Sequence, residues 1–238
     1  MTLNVRKVFD YCYQAIGGED NEDVRQYLYE RPEHVVRQEF FKEAVWAIWV
    51  GGKSRAAAKS FLDWPAARSL GGEFQEVATI DGNRFLTLVA RLHERPIPQQ
   101  ALARWKAVQY IAKWLGNFKS DGDFCNTVFH GKSATKDLDN SDLKTIVDLE
   151  LPWVRTANAQ LILRNIGGEF IKCDRWLTEF MVYGRMPLST LERQVRALGI
   201  PLGLFDLTIW AYCEKFVNEV DNLKSHFDGL STQHGFWV

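Results

Sequence analysis

The stretch that most restricts what this chain can fold into is Leu151 to Phe180, LPWVRTANAQLILRNIGGEFIKCDRWLTEF. Leu151-Pro152-Trp153-Val154 reads as a tight hairpin, since proline presets the backbone for a turn. A helix opens near Thr156 and meets a break at Gly167-Gly168. Asp174 stands at the start of the next helix, a position where a short carboxylate can accept hydrogen bonds from otherwise orphaned N–H groups.

The remaining segments share this helical habit. Val5 to Ala15 and Val35 to Val50 carry apolar residues at helical spacing, and each ends at a Gly-Gly pair, Gly17-Gly18 and Gly51-Gly52. Glu22 to Tyr29, Ser54 to Leu62, Gln99 to Leu115 and Ser141 to Leu149 also read as helices, the last with Ser141 as its cap. Asp174 to Tyr183 follows. Ser189 is expected to cap a helix through Leu198, with Ser189-Thr190-Leu191-Glu192 as a capping box. Leu204 to Leu223 reads as the last long helix. The residues from Gly72 to Ala90 fit a hairpin or helices, with helix preferred, and Asp121 to Gly131 has no decided pattern. The fold class expected is all-α.

A chain of 238 residues is long enough for two lobes. The expected division sets residues 36–150 in one lobe and 1–35 with 151–238 in the other, with a cleft between them. The net charge of −1 leaves nucleic-acid binding to local groups such as Lys53, Arg55 and Lys59. Cys12, Cys125, Cys173 and Cys213 are scattered, and the five histidines lack ligand spacing, so neither a disulfide frame nor a metal site is expected. The N-terminal residues lack the apolar core of a signal peptide, and no run is long enough to span a membrane. A cytoplasmic protein is expected.

On these residues, Leu151 to Phe180 resembles the hairpin and catalytic-aspartate segment of the helix-hairpin-helix superfamily of base-excision DNA glycosylases. The usual hairpin of that superfamily is LPGVG. Here Leu151, Pro152 and Val154 are kept, Trp153 stands where the first glycine would, and the second glycine is missing. The start Thr156-Ala157-Asn158 matches, as does the spacing of 18 positions from Thr156 to Asp174 (174 − 156). Glu39 to Gly52 is similar to the family's helix leading into a DNA-facing loop, and Arg104 to Ile111 to the helix preceding the hairpin. The similarity covers about Phe40 to Phe180 and is discontinuous.

The resemblance implies a monomer that binds duplex DNA, flips out one modified base and hydrolyses its N-glycosidic bond. Asp174 would be the catalytic carboxylate: as the base departs, positive charge builds on the deoxyribose, and an ionised carboxylate beneath it stabilises that state and orients water. Bifunctional members carry a lysine just before the Thr-Ala start. Arg155 occupies that position, and a guanidinium stays protonated and forms no imine. The four-cysteine tail of the iron–sulfur members is missing, so no cofactor is expected. Trp46, Trp49 and Glu43 are the expected base pocket, because aromatic faces and a few polar groups recognise a flipped base. Gly51, Gly52, Lys53 and Ser54, with Trp153, Val154, Arg155, Thr156 and Lys172, are the expected DNA contacts.

Plainer roles stand beside these: Asp174 as an ordinary cap, the tryptophans as core, Glu43 as a solvated helix residue and Lys53 as a surface lysine. A DNA-binding module that has lost its chemistry, a helical scaffold with no DNA role, and excision of modified cytosines from phage DNA are the alternative functions.

Overall fold

The computed structural model describes residues 2–50, 73–80, 101–217 and 223–237. Among these residues the regular structure is helical, with two isolated antiparallel bridges, Leu3–Trp237 and His34–Ala134. The α-helices are α1 (Val5–Ile16), α2 (Glu22–Tyr29), α3 (Arg37–Val50), α4 (Phe74–Thr79), α5 (Ala101–Gly116), α6 (Asp121–Val128), α7 (Asn140–Asp148), α8 (Thr156–Asn165), α9 (Arg175–Gly184), α10 (Leu188–Ala197), α11 (Leu202–Phe216) and α12 (Leu223–His234). The expected all-α class therefore holds. The chain divides into two compact units, one of residues 1–31 with 167–238 and one of residues 32–166. The hairpin-bearing residues 151–166 thus fall in the middle unit, whereas sequence alone groups them with the chain ends.

In the first unit the core is built around α11. Every residue from Leu202 to Ile209 is buried, and so are Ala211, Tyr212 and Cys213. A helix buried on all sides must be surrounded, and α1, α2, α9 and α10 pack on it. Gly203 allows α2 to come close, since a Cβ there would lie 2.6 Å from the Tyr27 ring. Helix α1 buries one stripe, Val5, Val8, Phe9, Cys12 and Ile16, and stops at Gly17, whose φ of 100° lies in the left-handed region that glycine tolerates. The Asn4 N–H donates to the Phe236 carbonyl at 2.7 Å, tying the two ends of the chain together.

In the second unit α3 holds the centre. Phe40, Phe41, Ala44, Val45, Ala47, Ile48 and Trp49 are all buried, and α5 and α8 pack against this helix. Phe40, Trp114, Phe118, Phe124 and Phe129 form an aromatic cluster, with ring centroids of neighbouring pairs 5.2 to 6.4 Å apart. Helix α7 packs against α8, which carries the hairpin turn at its start.

Several expected boundaries shift for local reasons. Asp139, not Ser141, caps α7: its Oδ1 accepts from the Ser141 N–H at 2.7 Å, and the Asp142 side chain closes a capping box on the Asp139 N–H. Ser189 lies inside the first turn of α10, which starts after Pro187 without a side-chain cap. The expected helix from Leu204 to Leu223 ends at Phe216, where Val217 turns extended, and α12 begins at Leu223. The undecided residues after Ser120 form α6, because the Ser120 hydroxyl accepts from the Asp123 N–H at 3.1 Å. The expected helix Ser54 to Leu62 lies outside the described residues, as does most of Gly72 to Ala90, of which Phe74–Thr79 is helix.

Candidate active site

Asp174 is the N-cap of α9. Its Oδ1 accepts from the N–H groups of Trp176 at 3.0 Å and Leu177 at 3.2 Å. The backbone bends sharply just before it, with the Asp174 N–H donating to the Lys172 carbonyl at 2.8 Å. One carboxylate oxygen is thereby committed to the helix. The other, Oδ2, lies 3.3 Å from the Lys172 ammonium, and both side chains are about one-sixth exposed, 17% for Lys172 and 16% for Asp174. Trp176, the second residue of α9, donates its indole N–H to Glu214 at 3.1 Å, and Arg175 pairs with Glu179 at 2.9 Å. Burial first, and then the carboxylates of Asp174, Glu179 and Glu214, push the Cys213 thiol well above its usual range. A carboxylate held by two amides, with its second oxygen at a partly open edge, is a group that can face a cation without swinging away.

The hairpin belongs to the other unit and has its own logic. The Val154 N–H donates to the Leu151 carbonyl at 3.0 Å, closing a four-residue turn with Pro152 second and Trp153 third. Trp153 has a φ of 66°, the positive sign that a type II turn demands at its third position and that glycine usually supplies. An L-residue in that conformation costs about 1–2 kcal/mol. Two contacts offset the cost. The Asn158 amide donates to the Trp153 carbonyl at 2.7 Å, and the Arg104 guanidinium lies 4.5 Å from the indole centroid.

Arg104 was not among the residues that sequence reasoning singled out for the site. It is only 4% exposed, and it donates to the Ile48 and Trp49 carbonyls at the C-terminal end of α3. Loss of solvent depresses its pKa below the ordinary arginine value. One side chain therefore joins the end of α3 to the hairpin turn. The available signal was an arginine set in the apolar run Ala101 to Trp105.

Beyond the turn, Val154 is buried, while Arg155 and Thr156 are exposed. Arg155 occupies the N-cap of α8 with no side-chain hydrogen bond to the helix. Trp49 is 2% exposed and packed in the core, with Arg104 6.0 Å from its ring; Trp46 is half-buried and keeps accessible surface. Glu43 accepts from the Asn165 amide at 2.6 Å across the α3–α8 contact, and burial pushes its carboxyl pKa up. It is not the solvated helix residue of the plainer reading. Gly51, Gly52, Lys53 and Ser54 lie outside the described residues.

Among the described residues no cluster of three or more His, Cys, Asp or Glu side chains is placed to hold a metal ion, and no helix is long and apolar enough to cross a membrane. No family model matches the chain, and no curated protein matches it. Among solved structures, the crystal structure of the 8-oxoguanine DNA glycosylase of Methanocaldococcus jannaschii is similar, with a TM-score of 0.49 and 13% sequence identity over 85% of this chain and 92% of that one. Likeness at that level sets neither activity nor site, which the residues themselves must carry.

Proposed function

We propose that this protein is a monofunctional DNA glycosylase, which flips a modified base out of duplex DNA and hydrolyses its N-glycosidic bond. The observation that carries the reading is the Asp174 carboxylate, pinned through Oδ1 by two helix amides and following the hairpin and Gly-Gly break in the order the superfamily uses. As the glycosidic bond breaks, its electron pair leaves with the base and the sugar becomes cationic. Asp174 stabilises that cation and orients the water whose oxygen bonds to C1′, the water's proton passing to solvent or to the departing base. Arg155 offers no amine for an imine, so water is the nucleophile.

DNA is gripped in part at the start of α8. Thr156 begins that helix without a side-chain cap, and the exposed Arg155 beside it adds charge, so a phosphate can take the free amides. Trp46 supplies an aromatic face for the base.

A second reading, a DNA-binding module without chemistry, draws on the hairpin, where an indole replaces the glycine that lets backbone approach phosphate. One experiment separates the two. Purified protein is incubated with duplexes carrying oxidised, alkylated and bulky modified bases, then treated with alkali to reveal abasic sites. Alkali-dependent breaks at one lesion class, with no borohydride-trapped adduct, are expected. Binding without breaks across the panel supports the module, and a trapped adduct overturns the monofunctional chemistry.

A further inference from the structure

We infer that Lys172 is a positioning residue that exchanges its partner: it neutralises Asp174 in the free protein and moves to a DNA phosphate on binding, which releases the carboxylate for the sugar. The inference rests on the glycosylase reading and adds a step to it. Oδ1 of Asp174 is committed to the amides of Trp176 and Leu177, so Oδ2 is the oxygen left to face a cation. That oxygen already faces one, the Lys172 ammonium at 3.3 Å. A sugar cation brought to the same oxygen would meet a neutralised carboxylate and a like charge at contact range. The resting pair is therefore a poor catalyst, and the ammonium has to leave before the bond breaks.

The surroundings make the departure feasible. Lys172 lies in the irregular segment between α8 and α9, on a flexible four-carbon stem, with 17% of its side chain exposed. Among the described residues Asp174 is the partner its ammonium has. Glu179, Glu214 and Arg175 are engaged elsewhere, in the Arg175–Glu179 ion pair and in the Trp176–Glu214 hydrogen bond. A phosphate at the open edge offers a full negative charge in exchange, and the cost of approaching an acidic site is reduced while the pair is intact. Asp174 stays fixed by its amides throughout, so the exchange moves only the lysine.

A double-mutant cycle on DNA affinity tests this without needing excision. Wild type, Asp174→Asn, Lys172→Met and the double variant are titrated with an unmodified duplex over a salt series, with thermal melts to confirm folding and Lys172→Gln as a second replacement. If the pair breaks on binding, Asp174→Asn tightens binding more when Lys172 is present than when it is absent. The expected difference is about fivefold, within the coupling range of contacting charged groups. Lys172→Met should also lower the salt slope by about one phosphate contact. Equal gains in both backgrounds, or an unchanged slope, overturn the exchange and leave the glycosylase reading standing. No salt-dependent DNA binding by the wild-type protein overturns both.

Discussion

Two helix N-termini, α8 and α9, lie within twenty residues of each other in sequence and are finished in opposite ways. At α9 the Asp174 carboxylate accepts from the first-turn amides of Trp176 and Leu177, at 3.0 and 3.2 Å. At α8 the N-cap is Arg155, an exposed residue whose side chain makes no capping hydrogen bond to the helix. The same set of orphan N–H groups therefore fixes an anion belonging to the protein in one place and stays open to an outside anion in the other. The closed end suits a carboxylate that must hold its position against a passing cation. The open end suits a phosphate. Neither residue would tell this story alone, since aspartate is among the commonest caps and arginine among the commonest surface residues.

The largest effect is expected at the closed end. Asp174→Asn keeps the cap, because the two residues are near-equal in that role, and removes the charge. Base release in single turnover should fall by two to four orders of magnitude, about 3–5 kcal/mol, with the melting temperature nearly unchanged. Near-wild-type release by a stable variant would reduce Asp174 to a cap and erase the contrast between the two ends.

The turn that leads into the open end gives the next effect, on stability. Trp153→Ala loses the stack with Arg104 and keeps the unfavourable φ, so it should destabilise the protein by about 1–2 kcal/mol. Trp153→Gly loses the same stack but relieves the strain, so it should be the more stable of the two by about 1 kcal/mol. That order reverses the usual preference for alanine over glycine, and urea melts read it directly. If alanine proves the more stable, the turn has another conformation.

Smaller changes test the open end itself. Arg155→Ala should weaken binding to unmodified duplex severalfold and lower the salt slope by about one, and Lys53→Ala, at a position outside the described residues, is expected to do the same. An unchanged slope for either variant removes that residue from the interface.

The smallest effect concerns Glu43, which stands at the far end of α8 from the turn. Its carboxyl pKa is raised by burial above the ordinary 4.5. The folded state then holds the proton more tightly than the unfolded chain, so stability declines as pH rises from below 4.5 through the raised value. Glu43→Gln keeps the bond to Asn165 and removes the titration. It should flatten that decline and leave the neutral-pH melting temperature equal or slightly higher. A variant less stable at neutral pH would mean that the ionised carboxylate contributes to the α3–α8 contact.

Much of this was readable from residue order. Apolar spacing places α1 and α3, the Gly-Gly pair ends α8, and Leu-Pro before Thr156 marks a turn followed by a helix start. Asp174 as the N-cap of α9 follows from the preference of short carboxylates for the unsatisfied amides of a helix start. These are local properties, set by side-chain periodicity, backbone torsion preferences and hydrogen bonds within a few residues. Local pattern misplaced two caps, since Asp139 and Pro187 stand two residues before Ser141 and Ser189 and take those positions. Other features depend on partners far away in the chain, which local pattern does not record. Glu43 meets Asn165 only because α3 packs on α8. Trp153 holds a conformation that its sequence argues against, because Arg104 reaches it from α5. The pairing of Lys172 with Asp174 depends on a sharp bend whose direction no spacing rule specifies. Sequence by itself determined that the chain is helical and where its candidate carboxylate sits along it, since those follow from local torsions. Only the tertiary structure decided which oxygen of that carboxylate is left uncommitted to the helix, which lysine faces it and how a tryptophan serves in a glycine's turn. The first two turn on a bend between Lys172 and Asp174 whose direction local preferences leave open, and the last on a contact between segments distant in the chain.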